Sequence, residues 1–87
     1  MYVIVNHDVS DPGTFWKVAQ SALPNVPPGL KLHHTFPSPE GRKAVCVWEA
    51  GSIDEVRNFL EPALGASSHN EYYQAPNKEG IAVAEIA

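Results

Sequence analysis

Two runs of β-branched and apolar residues, Val3-Ile4-Val5 and Val45-Cys46-Val47-Trp48, most constrain what this chain can fold into. Neighbouring residues of a strand point to opposite sides of its sheet, so a run without polar alternation asks for cover on both faces. The chain has only 87 residues, which is room for one domain and one core. After two such strands and the helices that cover one face, few residues remain to cover the other. That second face is then either a large exposed apolar patch or the seat of another molecule. Burying one Val or Leu fully stabilises by about 1.5–3 kcal/mol, so several of them would hold a dimer together. The plain alternative is a monomer with helices or loops over both faces.

The remaining elements follow from local signals. Met1 to Asn6 reads as a buried strand, ended by Asn6-His7-Asp8. Asp11-Pro12 starts a helix, with Asp11 as cap and Pro12 at the first helical position. Phe15, Val18, Ala19 and Ala22 give that helix its apolar face, and Pro24 stops it after Leu23. Asn25 to Gly29 is a loop. From Leu30 to Phe36 the chain alternates, with Leu30, Leu32, His34 and Phe36 on one side and Lys31, His33 and Thr35 on the other. A turn over Pro37–Gly41 leads to a strand over Ala44–Ala50, making a hairpin. Ser52 and Glu55 have capping-box spacing at the head of a second helix, whose buried face is Val56, Phe59, Leu60 and Leu64. Pro62 is expected to end or kink it near Glu61. Asn70–Ala75 and Ile81–Ile86 read as two more strands, joined by the turn Pro76–Gly80.

The order β, α, β, β, α, β, β contains two β-α-β halves. It predicts an α+β domain of the ferredoxin-like kind over residues 1–87, an antiparallel four-stranded sheet with both helices on one face. The hairpin strand and second helix, Val45-Cys46-Val47-Trp48-Glu49-Ala50-Gly51-Ser52 and then Val56-Arg57-Asn58-Phe59-Leu60-Glu61-Pro62, resemble the corresponding signature of small stand-alone proteins of the dimeric α+β barrel superfamily. The likeness spans roughly residues 1–75, with Trp48 to Leu60 its most specific stretch. It implies a homodimer. The superfamily holds cofactor-free monooxygenases, small isomerases, haem-degrading enzymes and metal-binding proteins, so the resemblance speaks to architecture and leaves chemistry open.

Composition narrows the partners. The net charge is −4, from 10 acidic and 6 basic residues, and no basic cluster exceeds Arg42-Lys43, which disfavours nucleic acid. No apolar run approaches the length that spans a bilayer, and Met1–Asn6 lacks the basic start of a signal peptide, so a cytoplasmic location is expected. Cys46 is the only cysteine, which excludes an intrachain disulfide.

Three groups of residues carry candidate chemistry. In the first, His34 is expected opposite Cys46 across the hairpin, with His33 opposite Val47 and Lys31 opposite Glu49. A neighbouring imidazole can lower a thiol's pKa, whereas a buried cysteine is more often a small hydrophobe. In the second, the first and third strands are taken as parallel neighbours. That places His7 and Glu49 at one end of the sheet, beside Lys31 to His33. His7, His33 and Glu49 would then hold Ni²⁺ or Zn²⁺, the one kind of cofactor these residues suggest. Alternatively His7, His34 and Glu49 would serve as acid and base on a small organic substrate, as in an isomerase or cofactor-independent monooxygenase. The duller reading has His7 solvated and Glu49 paired with Lys31. Third, Trp48, Tyr72 and Tyr73, with Trp16, would line an apolar pocket for a small ligand, although aromatics at such spacings are commonly plain core. No nucleophile elbow and no glycine-rich phosphate loop is present. The leading expectation is a homodimeric ligand-binding or structural protein, with the enzyme and the metal protein as alternatives.

Overall fold

The computed structural model describes residues 1–75, and the expected turn at Pro76–Gly80 and strand at Ile81–Ile86 lie outside them. Six main elements follow one another: β1 (Tyr2–Val9), α1 (Pro12–Ala22), β2 (Lys31–Pro37), β3 (Lys43–Glu49), α2 (Ile53–Leu64) and β4 (Ser68–Ala75). The strands form one antiparallel sheet in the order β2-β3-β1-β4. With both helices on one face, this is the α+β ferredoxin-like arrangement.

Local chemistry sets both helix starts where the sequence indicated. Asp11 accepts a hydrogen bond from the Thr14 amide at 3.2 Å, and Ser52 accepts one from the Glu55 amide at 3.2 Å. Glu55 completes the second cap by accepting from the amide of Gly51, one residue ahead of the usual capping-box donor, at 2.8 Å. α1 gives way at Leu23–Asn25 to a single 3-10 turn that absorbs Pro24. Pro62 neither ends nor breaks α2, which runs on to Leu64. In the last turn it removes one donor, while the burial of Leu64 holds that turn against the sheet. Gly65, at φ +56°, then closes the helix, its amide bonding to the Glu61 carbonyl.

The faces of the sheet are unequal. Val3, Val5, His7 and Val9 of β1 and Ala44, Cys46 and Trp48 of β3 point toward the helices and are buried. Phe15 comes from α1, and Val56, Leu60 and Leu64 come from α2, to close the core. The opposite face carries Tyr2, Ile4, Val45, Val47, Phe36 and Tyr73, flanked by charged residues at both ends. Phe36 and Tyr73 on it are 60% and 50% exposed. The sequence expectation of apolar side chains on both faces is therefore met, and only one face has its cover among the described residues.

Two expectations about register do not hold. β1 does not end at Asn6–Asp8. It continues to Val9 because His7, Asp8 and Val9 keep pairing with Asn70, His69 and Ser68 of β4. The alternation of β2 also breaks, at His33, where the register slips and one extra residue bulges from the strand. Leu32 and Thr35 face the helices, whereas Lys31, His33, His34 and Phe36 share the open face.

The tight turn before β3 depends on Gly41, whose φ is +74°. A Cβ there would lie 2.8 Å from Nε1 of Trp16, and that same indole N–H donates to the Gly41 carbonyl at 3.1 Å. The hairpin turn and α1 are thereby pinned together.

Candidate functional site

A cleft of about 480 Å³ opens between the two helices and the β3–β2 side of the sheet. That size is ordinary for a small-molecule site. The sheet contributes His7, Leu32, Thr35, Cys46 and Trp48 to its wall, α1 contributes Phe15, Trp16 and Ala19, and α2 contributes Phe59, Leu60 and Leu64. The wall is mostly aromatic and aliphatic, with exposed Lys17, Gln20 and Leu23 where it meets solvent. Edge-to-face contacts set the rings: Phe15 on His7 at 5.2 Å, Phe15 on Trp16 at 4.8 Å and Phe59 on Trp48 at 6.1 Å between centroids.

Few polar groups reach this wall. The indole N–H of Trp48 is buried and has no hydrogen-bond partner among the described residues. Leaving such a donor unpaired costs about 1–3 kcal/mol. Cys46 Sγ lies 3.6 Å from Thr35 Oγ1, and burial pushes the thiol above its ordinary pKa, so it is a poor thiolate.

The third polar group is His7, only 4% exposed. Its Nδ1 sits 2.6 Å from Oδ1 of Asn70 on β4. The amide of Asn70 donates in turn to Oε2 of Glu61 at 2.6 Å, and Tyr72 donates its hydroxyl to the same carboxylate oxygen at 2.8 Å. A carboxylate only accepts, so the NH₂ of Asn70 faces Glu61 and its carbonyl faces His7. In that orientation Ser68 donates to the same carbonyl at 2.8 Å. Burial lowers the pKa of His7, outweighing the opposing pull of the Asn70 hydrogen bond and the Glu61 charge. The ring is thus neutral near pH 7, with its proton on Nδ1 and a lone pair on Nε2. Desolvation and the bond to Glu61 likewise push the Tyr72 hydroxyl above its usual pKa.

The sequence-derived groupings are largely redistributed. β1 and β3 are antiparallel, because the α1 crossover returns β2 parallel to β1 and the tight hairpin reverses β3. His7 therefore pairs with Ala44 and Glu49 with Tyr2, at opposite ends of the strands and on opposite faces. The metal set His7, His33 and Glu49 is not brought together, nor is the acid–base set His7, His34 and Glu49. His33 and Glu49 do meet, with Nε2 and Oε1 2.8 Å apart on the open face. Lys31 lies across from Glu49 as expected. Among the described residues no three His, Cys, Asp or Glu side chains cluster to hold an ion.

The pairing of His34 with Cys46 is also overturned. The bulge at His33 puts Thr35 opposite Cys46 and His34 opposite Val47, so the imidazole and the thiol face different sides of the sheet. His34 stacks instead on Phe36, at 5.6 Å. Of the aromatic trio, Trp48 lines the cleft, as does Trp16. Tyr72 shares the helix side but is held by Glu61, under the Arg57 guanidinium at 5.1 Å. Tyr73 points to the open face. What sequence reasoning missed is the Glu61–Asn70–His7 chain. Its members come from three elements, and no local spacing announces them.

Comparison of the chain with protein-family models, with curated proteins and with solved structures found no match.

Proposed function

We propose that this protein binds a small, largely apolar molecule in the cleft between its helices and sheet. The observation that carries this reading is a cavity of about 480 Å³ whose wall is mostly aromatic and aliphatic, with a few polar side chains among them. Small-molecule sites have this make-up: apolar walls for affinity and a few polar groups for orientation.

Prodan, a naphthyl ketone whose emission shifts to the blue in apolar surroundings, tests the reading. Titration with the protein is expected to give a saturable blue shift, and Thr35→Trp, which fills the sheet side of the cleft from an exposed position, to weaken binding severalfold while leaving the fold intact. Absence of a saturable shift with the wild-type protein would end it.

A second reading concerns the open sheet face. Phe36 and Tyr73 are 60% and 50% exposed there, and Val45, Val47 and Ile4 lie between them. A second copy meeting this face with the same face would cover the patch in a two-fold manner. The homodimer implied by the superfamily resemblance agrees with this. Light scattering at micromolar concentration should then give twice the chain mass of 9.5 kDa. A monomer mass would refute the pairing without touching the cleft.

A further inference from the structure

The cleft wall includes one imidazole, that of His7. We infer that His7 serves there as a hydrogen-bond acceptor, so that the cleft selects aromatic molecules bearing a free hydroxyl. This rests on the cleft being the ligand site and adds the class of ligand it takes.

The inference comes from how the imidazole is held. Nδ1 is committed to Asn70, which lies on β4, whereas the cleft lies toward β3 and β2. Asn70 has no freedom to reverse its amide, because its NH₂ is bound to the Glu61 carboxylate, which cannot donate to a carbonyl. The tautomer is therefore fixed by a chain that begins at Glu61: carboxylate, amide NH₂, amide carbonyl, Nδ1–H. Nε2 is left as an acceptor, and His7 makes no other hydrogen bond among the described residues. A lone pair in a mostly apolar wall rewards a donor more than one in open water does, because the local dielectric is lower. Phe15, set edge-on to His7, with Trp16, Trp48 and Phe59 nearby, offers ring surfaces that favour an aromatic carrier for that hydroxyl. A thiol or amine is a less apt partner. The first is a weak donor, and the second is charged at neutral pH and costly to bury.

Two probes that share one ring system and differ at the hydroxyl decide the matter: 2-naphthol and 2-methoxynaphthalene, titrated into the intact protein and followed by NMR of the Trp indole N–H groups and of the ¹⁵N-labelled imidazoles. The wild-type protein is expected to bind 2-naphthol about tenfold more tightly. The Nε2 resonance of His7 should move with 2-naphthol and stay still with the ether. In His7→Phe the two affinities should become equal. Equal affinities in the wild type, or a preference that survives in His7→Phe, would overturn the assignment of His7. So would a free ring that carries its proton on Nε2. Should His7→Phe fail to fold, the wild-type affinities and the Nε2 shift still decide. Binding of the ether without hydroxyl preference would sink this inference alone, whereas binding of neither probe would count against the cleft as an aromatic site as well.

Discussion

Nδ1 of His7 and Oδ1 of Asn70 are 2.6 Å apart, although 63 positions separate the two residues in the chain. The contact joins β1 to β4 beneath α2, and it decides which nitrogen of the imidazole is available to the cleft. Replacing Asn70 by Leu keeps the bulk and removes the link. It leaves His7 Nδ1–H without its acceptor and deprives Glu61 of one donor. A loss of about 2–3 kcal/mol in unfolding free energy is expected from urea titration, along with a shift of the His7 ring toward the other tautomer. An unchanged tautomer would show that Asn70 does not set it.

The lowered pKa of His7 gives a signed dependence of stability on pH. The unfolded chain takes up this proton near the ordinary value of 6.5, while the folded chain resists it until lower pH. The stabilisation is therefore full above 6.5 and is lost as pH falls from there toward the folded value. Tm should fall with acidification in that window, and the fall should be shallower in His7→Phe. Equal slopes in the two proteins would contradict the burial account.

Cys46 and Tyr72 are shifted upward, and they act on the alkaline side. Each loses its proton more readily in the unfolded chain, from about 9.0 for the thiol and 10.0 for the phenol. Stability should fall as pH rises through those values. Cys46→Ala should flatten the first part of that decline in a thermal scan run between pH 8 and 10.

Gly41→Ala should be among the costlier small substitutions outside the core. The added methyl meets Trp16 Nε1 at 2.8 Å, in a left-handed backbone that disfavours side chains. A loss of about 1–3 kcal/mol is expected by urea unfolding. A change below half of that would show that the turn and the indole can both relax.

His34→Ala and His33→Ala provide the contrast. Both residues lie on the face opposite the cleft, and the His33–Glu49 pair is partly exposed. Each substitution should cost less than about 1 kcal/mol and leave prodan affinity unchanged. Loss of binding in either variant would place the ligand on the wrong side of the sheet.

Local signals wrote much of the architecture into the sequence. Asp11-Pro12 and Ser52 with Glu55 mark helix starts because caps act within one turn. The apolar runs around Val3–Val5 and Val45–Trp48 mark the central strands because burial selects side chains residue by residue. The places of the four described strands and of the two helices follow from such short-range rules. The positions of His7, Glu49, His34 and Cys46 relative to one another do not. They hang on strand direction and on one bulge at His33, and a slip of one residue sends a side chain to the opposite face. Apart from Trp16 and Trp48, the wall of the cleft was decided by tertiary structure, and so was the Glu61–Asn70–His7 chain. Hydrogen-bond partners drawn from β1, α2 and β4 become neighbours only after the sheet has closed, and no spacing along the chain encodes a distance across it.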